Sequence, residues 1–264
     1  MRGLRKTMAD ELLLTIADGI ATVTLNRPDK RNAMNTALLQ GLRRCFDELE
    51  ENTDARVVVV RGAGPAFCAG MDLREMGERQ QAEADPESGV TEVLQRIERS
   101  RHPTIAMVHG DAIAGGCELA LHCDLRIAAD VARFGMPLAR IGLVVPFPLG
   151  QKLVEIAGPA FTRELLFTGQ PVTAARACEI GLVHRVVPPA ELGQATADLA
   201  RGIADNAPLS LRGIKATILR ALSLRERIDH ADLDELARQA RKSADAREGM
   251  RAMLEKRKPR FGGY

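Results

Sequence analysis

The alternation of strand-like and helix-like segments constrains the fold of this chain of 264 residues more than any other feature. Apolar, strand-like runs recur between short helix-like segments, at residues 57–60, 104–108, 124–128 and 183–187. Such alternation predicts an α/β core. Beyond about residue 190, amphipathic helical patterns follow one another, at residues 209–222, 224–240 and 244–257. We therefore divide the chain into an α/β core, residues 1–195, and a C-terminal helical region, residues 196–264.

The N-terminal part adds a hairpin and a capped helix to this pattern. Two β-prone runs within residues 11–25 flank Asp18-Gly19, a dipeptide that favours a tight hairpin turn. Asn35 is placed to cap a helix whose apolar residues keep helical spacing over residues 38–49. Residues 77–90 are polar and without a pattern, which is typical of a mobile loop near a functional site.

Composition excludes several classes of function. The 37 basic residues nearly balance the 35 acidic ones, so the net charge of +2 gives no electrostatic case for nucleic acid or an anionic membrane. With 3% aromatic residues and no Trp, the chain lacks the stacking platforms that single-stranded nucleic acids need. No run approaches 18 uninterrupted apolar residues, so no membrane span is predicted.

The cysteines, the histidines and the N-terminal segment indicate a cytoplasmic protein without a metal site. The five cysteines form no Cys-x-x-Cys pair, which is typical of reduced thiols inside the cell. No histidine pair has the spacing of a metal site, and no serine nucleophile elbow or P-loop is present. The basic N-terminus lacks the apolar stretch of a signal peptide, and Met8 is an alternative start.

A glycine-containing loop follows the strand at residues 57–60. Gly62-x-Gly64 invites a dinucleotide interpretation, but Phe67 stands where the third glycine belongs and Pro65 interrupts the turn. The segment instead predicts a tight loop that brings backbone close to a ligand and leaves the N–H of Met71 free to donate. An ordinary strand-to-loop turn is the alternative.

A second glycine-rich loop, residues 114–118, leads from a strand into an apolar helix. Its glycines permit a close approach, and a helix start offers unpaired N–H groups. Glu118 lies in the first helical turn, where the helix dipole alone favours an acid. Two such loops that each supply one N–H favour a functional interpretation. Together they would form an oxyanion hole worth about 3–4 kcal/mol per donor.

Six segments together carry a family resemblance that none would carry alone: residues 25–33, 67–73, 115–120, 161–169, 174–183 and 248–257. In these segments the chain resembles the crotonase superfamily, the enoyl-CoA hydratase/isomerase family, nearly end to end. The resemblance implies a crotonase-like α/β spiral of ββα units whose C-terminal helices form a homotrimer, often a hexamer of two trimers. It implies coenzyme A as part of the substrate and no separate cofactor.

The same resemblance implies roles for particular residues. An acyl-CoA thioester carbonyl would be held by the N–H groups of Met71 and Gly115, with Glu118 as the catalytic carboxylate. Substrate-binding positions follow by the same matching: Arg31, Ala69, Asp72, Leu73, Gly116 and Leu138. Basic residues near the mouth of the site are candidates to meet the phosphates of coenzyme A, and plain surface charge is an equal alternative: Lys30, Arg31 and Arg74.

The resemblance breaks at Leu138. Family hydratases carry a second glutamate at this position, and the two carboxylates hold and split the water that adds across the double bond. The acids between Glu118 and Glu155 are Asp124 and Asp130, and neither is a local substitute. Losing one of two cooperating acid/base groups typically costs ~10²–10⁴-fold in rate. A double-bond shift needs one base, but family isomerases usually keep the carboxylate at the position of Leu138.

We therefore predict an enoyl-CoA hydratase-like enzyme with one acid/base glutamate, and several alternatives stay open. Glu118 alone could serve an enoyl-CoA isomerase or an acyl-CoA decarboxylase. A homologue that binds CoA esters with little turnover is a further alternative. An RNA-binding homologue is disfavoured by the near-neutral charge and the few aromatic residues.

Overall fold

The structure, a computed structural model, describes residues 4–9, 11–81, 89–223 and 228–263. The strands are β1 (Leu4–Ala9), β2 (Leu12–Ala17), β3 (Ile20–Leu25), β4 (Val57–Gly62), β5 (Thr104–Val108), β6 (Ala112–Ile113), β7 (Leu125–Ala129), β8 (Arg133–Gly135), β9 (Val172–Thr173) and β10 (Arg185–Val187). The helices are α1 (Thr36–Glu51), α2 (Leu73–Gln81), α3 (Val90–Glu98), α4 (Gly115–Leu121), α5 (Phe147–Thr168), α6 (Ala174–Glu179), α7 (Pro189–Ala204), α8 (Pro208–Leu222), α9 (Ala231–Lys242) and α10 (Ala244–Leu254).

The larger of two sheets in the described part of the chain has the strand order β1-β2-β3-β4-β5-β7-β10. Strands β1 to β3 pair antiparallel, and all pairs from β3 onward are parallel. The predicted hairpin is confirmed, because Asp18 and Gly19 turn the chain between β2 and β3 with φ of 51° and 77°. Asn35 caps α1 as predicted, its side chain accepting from the N–H of Leu38 at 2.8 Å.

Strand β4 shows why its run of valines is continuous. Val58 and Val60 pack into the main core, whereas Val57 and Val59 pack on the opposite face against Ala200 and Ala204 of α7. Where a parallel strand is covered on both faces it has no polar side, so residues 57–60 are all apolar, and the exposed Arg61 follows them. Helix α7 runs through the proposed division at residue 195 and packs on the sheet of the core, and the division itself stays a prediction.

The second sheet has the order β6-β8-β9 and lies next to the two glycine-rich loops. Single β-bridges join Cys68 to Ala112 and Met34 to Met71, so the loop after β4 lies against the loop that leads into α4. The sequence did not predict β1, β6, β8 or β9. The last three contain only two or three residues, too few for a period of two to be visible.

Two expectations about helices need correction. Residues 77–81 are not loop but belong to α2, because Met76 is buried against Ile141 and Leu143 and anchors this helix. Of the rest of the predicted loop, residues 82–88 lie outside the described residues, Gly89 caps α3 and Val90 is the first residue of that helix. The helix predicted from residue 224 begins at Ala231, with residues 224–227 outside the described part.

Helix α10 folds back onto the turn that contains Leu138. A Cβ atom on Gly249 would lie 2.5 Å from the Cα of Ile141, so glycine is needed for this close approach. Among the described helices, none combines the length and the apolar character that crossing a bilayer requires.

Candidate active site

Two backbone N–H groups, those of Met71 and Gly115, lie side by side on one cavity. Both residues line it, and a Cβ atom on Gly115 would lie 3.6 Å from the nitrogen of Met71. Within the described residues, neither nitrogen donates a hydrogen bond. Gly115 is the first residue of α4, so its N–H has no acceptor inside the helix. Two adjacent unpaired donors can accept a developing oxyanion.

The bridge between Met34 and Met71 sets the direction of the first donor. The N–H of Met34 donates to the carbonyl of Gly70 at 2.7 Å, and the N–H of Asp72 donates to the carbonyl of Met34 at 2.9 Å. Because successive backbone groups of an extended segment face opposite sides, the N–H of Met71 faces away from Met34. The hydrogen bonds to Met34 therefore occupy one side of the loop, and the N–H of Met71 stays available on the opposite side.

The second donor is held by glycines and one unusual alanine. Ala114 has φ 49° and ψ −121°, an uncommon conformation for a residue with a Cβ atom, and strain of this kind clusters at functional sites. Its N–H donates to the carbonyl of Gly135 at 2.7 Å. A Cβ atom on Gly116 would lie 2.0 Å from the carbonyl oxygen of Cys68, so only glycine fits there.

Glu118 lies on the same cavity and is fully buried. Within the described part of the chain, neither of its carboxyl oxygens has a hydrogen-bond partner. Burial raises the pKa of Glu118 well above its usual range, and the Lys152 cation opposes this shift only in part. The site therefore favours the protonated acid, a form that can deliver a proton.

His122 and Lys152 stand behind Glu118. Nδ1 of His122 lies 2.8 Å from the backbone oxygen of Glu118 and 3.8 Å from its Oε2. Burial lowers the pKa of His122 to about 4, so the ring is neutral at physiological pH. Nζ of Lys152 pairs with Glu98 at 2.5 Å and with Glu155 at 2.9 Å. The spacing of His122 from Glu118 is visible in the sequence, but the approach of Lys152 depends on the fold.

A second part of the cavity lining is apolar. The cavity, of about 100 Å³, is lined there by Leu138, Ile141, Leu143 and Leu149. Among the described residues that line it, Glu118 is the one with a titratable side chain. The structure therefore brings Leu138 to the cavity of Glu118 and places no second carboxylate on it.

The other sequence-predicted residues divide into two groups. Ala69 and Leu73 line the cavity together with Leu138. Asp72 does not, because its carboxylate is held by the guanidinium of Arg27 at 3.1 Å. Gly116 supports the donor loop from behind, against Cys68. Arg31 is exposed, and its carbonyl accepts from the N–H of Ala69 at 3.0 Å, so its backbone contributes to the loop.

No cluster of three or more His, Cys, Asp or Glu side chains suited to a metal ion occurs within residues 4–9, 11–81, 89–223 and 228–263. The cavity residues themselves offer hydrogen bonding to an oxyanion and proton transfer by one carboxyl group.

Comparison with known proteins places this arrangement in a family. The model of the enoyl-CoA hydratase/isomerase family matches residues 15–264. The chain belongs to this family. It is 36% identical to the short-chain-enoyl-CoA hydratase of Clostridium acetobutylicum, over 90% of this chain and 92% of that protein. It is 35% identical to the putative enoyl-CoA hydratase/isomerase YngF of Bacillus subtilis, over 97% and 100%.

Solved structures agree with the family. An enoyl-CoA hydratase/carnithine racemase from Magnetospirillum magneticum matches with a TM-score of 0.78 at 34% identity, over 98% of this chain and 97% of that one. Methylmalonyl-CoA decarboxylase in complex with 2-nitronate-propionyl-CoA matches with a TM-score of 0.85 at 29% identity, over 96% and 99%. The predicted crotonase superfamily and its α/β fold are confirmed. Membership of the enoyl-CoA hydratase/isomerase family supports an enzyme that processes acyl-CoA thioesters.

Proposed function

We propose that this crotonase-fold enzyme stabilises the enolate of an acyl-CoA thioester with the N–H groups of Met71 and Gly115 and moves protons with Glu118 alone. The observation that carries the proposal is the cavity itself. Two unpaired donors and one buried carboxyl group share it, and the wall at Leu138 is apolar. Coenzyme A enters as part of the substrate, and no separate cofactor is needed for this chemistry.

The steps follow from the geometry. The thioester oxygen accepts from both N–H groups, and each donor contributes about 3–4 kcal/mol as negative charge develops on that oxygen. The carboxylate form of Glu118 takes a proton from carbon, and the acid form returns one to the α carbon of the enolate. Because burial favours the acid form, protonation of an enolate is the step that the resting site supports best.

Net addition of water is the step that the site supports least. It requires a group that activates water while another delivers the proton to carbon. The apolar wall at Leu138 offers no such group, so we expect hydration ~10²–10⁴-fold below that of a site with two carboxylates. The protein is therefore hydratase-like in its family and in its thioester substrate, whereas the reaction that we propose is proton transfer to and from an enolate.

Decarboxylation is a second candidate, favoured by the same apolar wall. A malonyl-type carboxylate placed against Leu138 would be desolvated, which favours loss of CO₂ and leaves the thioester enolate. Glu118 in its acid form would then protonate the α carbon. The structural match to methylmalonyl-CoA decarboxylase supports this alternative.

We also propose a homotrimer or a hexamer of two trimers. Large apolar side chains stay exposed on α8 and α9: Leu209, Ile214, Ile218, Leu233 and Leu236. Leu209 is 79% exposed, which is unfavourable unless another surface covers it. Light scattering coupled to gel filtration measures the assembly, and a monomer at micromolar concentration would contradict this proposal.

The reaction is tested with 2-enoyl-, 3-enoyl- and malonyl-type CoA thioesters in D₂O. Deuterium at the α carbon without any other change reports reversible enolate formation, since hydration and decarboxylation in D₂O also place deuterium there. Loss of the conjugated absorbance reports hydration, its appearance from 3-enoyl thioesters reports isomerisation, and release of CO₂ reports decarboxylation. We expect α-carbon deuteration or CO₂ release to exceed hydration. Binding of the thioesters without any of these changes would contradict an enzymatic function.

Glu118→Gln should lower the dominant activity by ~10²–10⁴-fold, because the amide neither takes nor gives a proton. Glu191→Gln is the matched control, since Glu191 is an exposed acid in the first turn of α7. If Glu118→Gln behaved like the control, Glu118 would be an ordinary helix-start acid and its assignment would be wrong.

A further inference from the structure

A buried polar cluster behind Glu118 has no part in the steps described above. It consists of His122, four residues along α4, together with Lys152 and Glu155 of α5 and Glu98 of α3. His122 is 3% exposed, and the side chain of Lys152 is 12% exposed. Polar groups are costly at such depth, so their position against a catalytic carboxyl group calls for a functional explanation.

The contact of His122 with the backbone fixes which of its nitrogens carries hydrogen. Nδ1 lies 2.8 Å from the carbonyl oxygen of Glu118, and a carbonyl can only accept, so Nδ1 is the protonated nitrogen. The same nitrogen is 3.8 Å from Oε2 of Glu118. A shift of about 1 Å would bring this N–H into hydrogen-bond range of the carboxyl group.

The backbone carbonyl would keep a partner after such a shift. It also accepts from the backbone N–H of His122 at 2.9 Å, within α4. The imidazole N–H can therefore move from the carbonyl to the carboxylate without leaving a buried acceptor unpaired. No proton passes to the ring, which stays neutral throughout.

Several elements pack around the contact between His122 and Glu118, and some of them carry charged or titratable groups. Lys152 of α5 supplies a cation and is itself paired with Glu98 and Glu155, so it is held in place. Arg126 of β7 donates to carbonyl groups at the end of α4, and the buried thiol of Cys117 is neutral. Strand β6 contributes only Ala112 and Ile113. Lys152 is thus the cation that acts on Glu118.

We propose that His122 and Lys152 are positioning residues that stabilise the carboxylate form of Glu118 after it has given its proton to the substrate. The Nδ1–H of His122 turns to Oε2, and the Lys152 cation, which already pairs with Glu98 and Glu155, attracts the new negative charge in addition. When carbon returns a proton to Glu118, the N–H turns back to the backbone carbonyl. One carboxyl group can then serve in turn as acid and base, without a second carboxylate on the apolar wall.

This role rests on the proposed use of Glu118 as acid and base, but it can be measured without turnover. The infrared difference between the wild-type protein and Glu118→Gln isolates the carboxylic C=O band of Glu118. Titrating that band gives the midpoint at which Glu118 loses its proton. His122→Leu removes the N–H, and His122→Asn keeps an amide N–H close to the place of Nδ1.

A hydrogen bond to a charged group typically contributes about 1.5–3 kcal/mol, which corresponds to about one to two pH units. We therefore expect His122→Leu to raise the midpoint by about one to two pH units, and His122→Asn to restore most of the difference. The acid limb of the pH profile for α-carbon deuteration should move with the midpoint. An unchanged midpoint in His122→Leu would overturn the role of His122.

Variants of Lys152 test whether its positive charge stabilises the carboxylate form of Glu118. They also provide a second test of the proposal if His122→Leu does not fold. Lys152→Arg keeps the charge and should leave the midpoint in place. The double variant Glu98→Gln/Lys152→Gln removes one charge of each sign and should raise the midpoint of Glu118. If Lys152→Arg and the double variant had equal midpoints, the role of Lys152 would be overturned. A wild-type protein that binds thioesters but shows no deuteration, isomerisation or decarboxylation would instead overturn the proposed function.

Discussion

The two walls of the cavity are built in opposite ways. The backbone wall, residues 68–72 and 112–116, presents N–H groups and is fixed by glycines that pack against carbonyl groups. The side-chain wall, residues 138–149, presents leucine and isoleucine side chains and is backed by α10. The first is suited to the feature that all thioester substrates share, the carbonyl oxygen. The second faces the part of the substrate where reactions differ.

This difference predicts that the residue at position 138 can change without disturbing the fold. A substitution on the side-chain wall changes the functional groups that face the cavity and leaves the path of the backbone unaltered. A side chain added at Gly70 or Gly116 of the backbone wall has no space, since a Cβ atom there would lie 3.0 Å or 2.0 Å from a carbonyl oxygen. We infer that the ligand class is tied to the backbone wall and the reaction to the side-chain wall.

The largest effect is expected from breaking the backbone wall with Gly116→Ala. Its Cβ atom would lie 2.0 Å from the carbonyl oxygen of Cys68, a contact that forces the two loops apart. We expect the free energy of unfolding to fall by about 3 kcal/mol or more. The N–H of Gly115 would move with the loop, and losing one oxyanion donor costs ~10²–10³-fold in rate. Urea unfolding and α-carbon deuteration measure the two effects.

Gly193→Ala is the matched control for this substitution. Gly193 lies in α7, and nothing stands within 4 Å of the position of its Cβ atom. Alanine in a helix is favoured over glycine by about 0.5–1 kcal/mol, so the control should be slightly more stable than the wild type. Equal stabilities of the two variants would mean that the backbone wall tolerates a displacement and is not fixed by its glycines.

A smaller and opposite effect is expected from adding a carboxylate to the side-chain wall. Leu138→Glu places a second acid on the cavity of Glu118, so water can be activated while Glu118 delivers the proton. We expect hydration of 2-enoyl thioesters to rise about 10-fold or more, part of the ~10²–10⁴-fold that such a group provides. The loss of conjugated absorbance measures it.

Leu138→Gln is the control that separates the effect of a carboxylate base from the effect of a polar side chain at this position. The amide has nearly the size of the glutamate side chain but cannot act as a base. If it raised hydration as much as Leu138→Glu, water access alone would limit the reaction. If neither variant hydrated faster, the side-chain wall would not set the reaction, and the contrast between the two walls would fail.

The backbone wall was also the part of the site that the sequence made easiest to predict. Paired glycines before an apolar helix, and a second glycine-containing loop after a strand, are local patterns with a local physical cause. Ala69 and Leu73, which the family resemblance names as substrate-binding residues, line the cavity, and that role stays a prediction. The carboxylate of Asp72 lies instead in a pair with Arg27, a contact 45 residues apart that no local pattern shows.

The strands buried on both faces and the hairpin at Asp18-Gly19 were likewise predictable, because each has its own periodicity or turn dipeptide. The short strands β6, β8 and β9 were not, since two or three residues carry no period. Lys152 was missed for a different reason. It approaches Glu118 only because α3, α4 and α5 pack together, and that arrangement depends on the whole core.

The pH dependence of stability offers a further test, because Glu118 and His122 act on it in opposite directions. Folding raises the pKa of Glu118, so above its ordinary value of 4.5 the folded protein binds more protons than the unfolded chain. Its contribution to stability therefore falls as pH rises from 4.5 towards the folded pKa, by up to ~1.4 kcal/mol per pH unit. Folding lowers the pKa of His122 from 6.5 to about 4, so its contribution is lost as pH falls through that window, by about 3 kcal/mol in all.

Between pH 4.5 and 6.5 the two contributions oppose each other in the wild type, and single variants expose each of them. Relative to the wild type, Glu118→Gln should gain stability steadily as pH rises through this range, because it removes the group that the fold keeps protonated. His122→Asn should gain stability as pH falls through it. Leu138→Gln, on the side-chain wall, adds no titrating group and should keep a constant difference from the wild type. Urea unfolding at half-unit steps of pH measures all three, and a flat difference for Glu118→Gln would show that the carboxyl group of Glu118 is ionised in the folded protein.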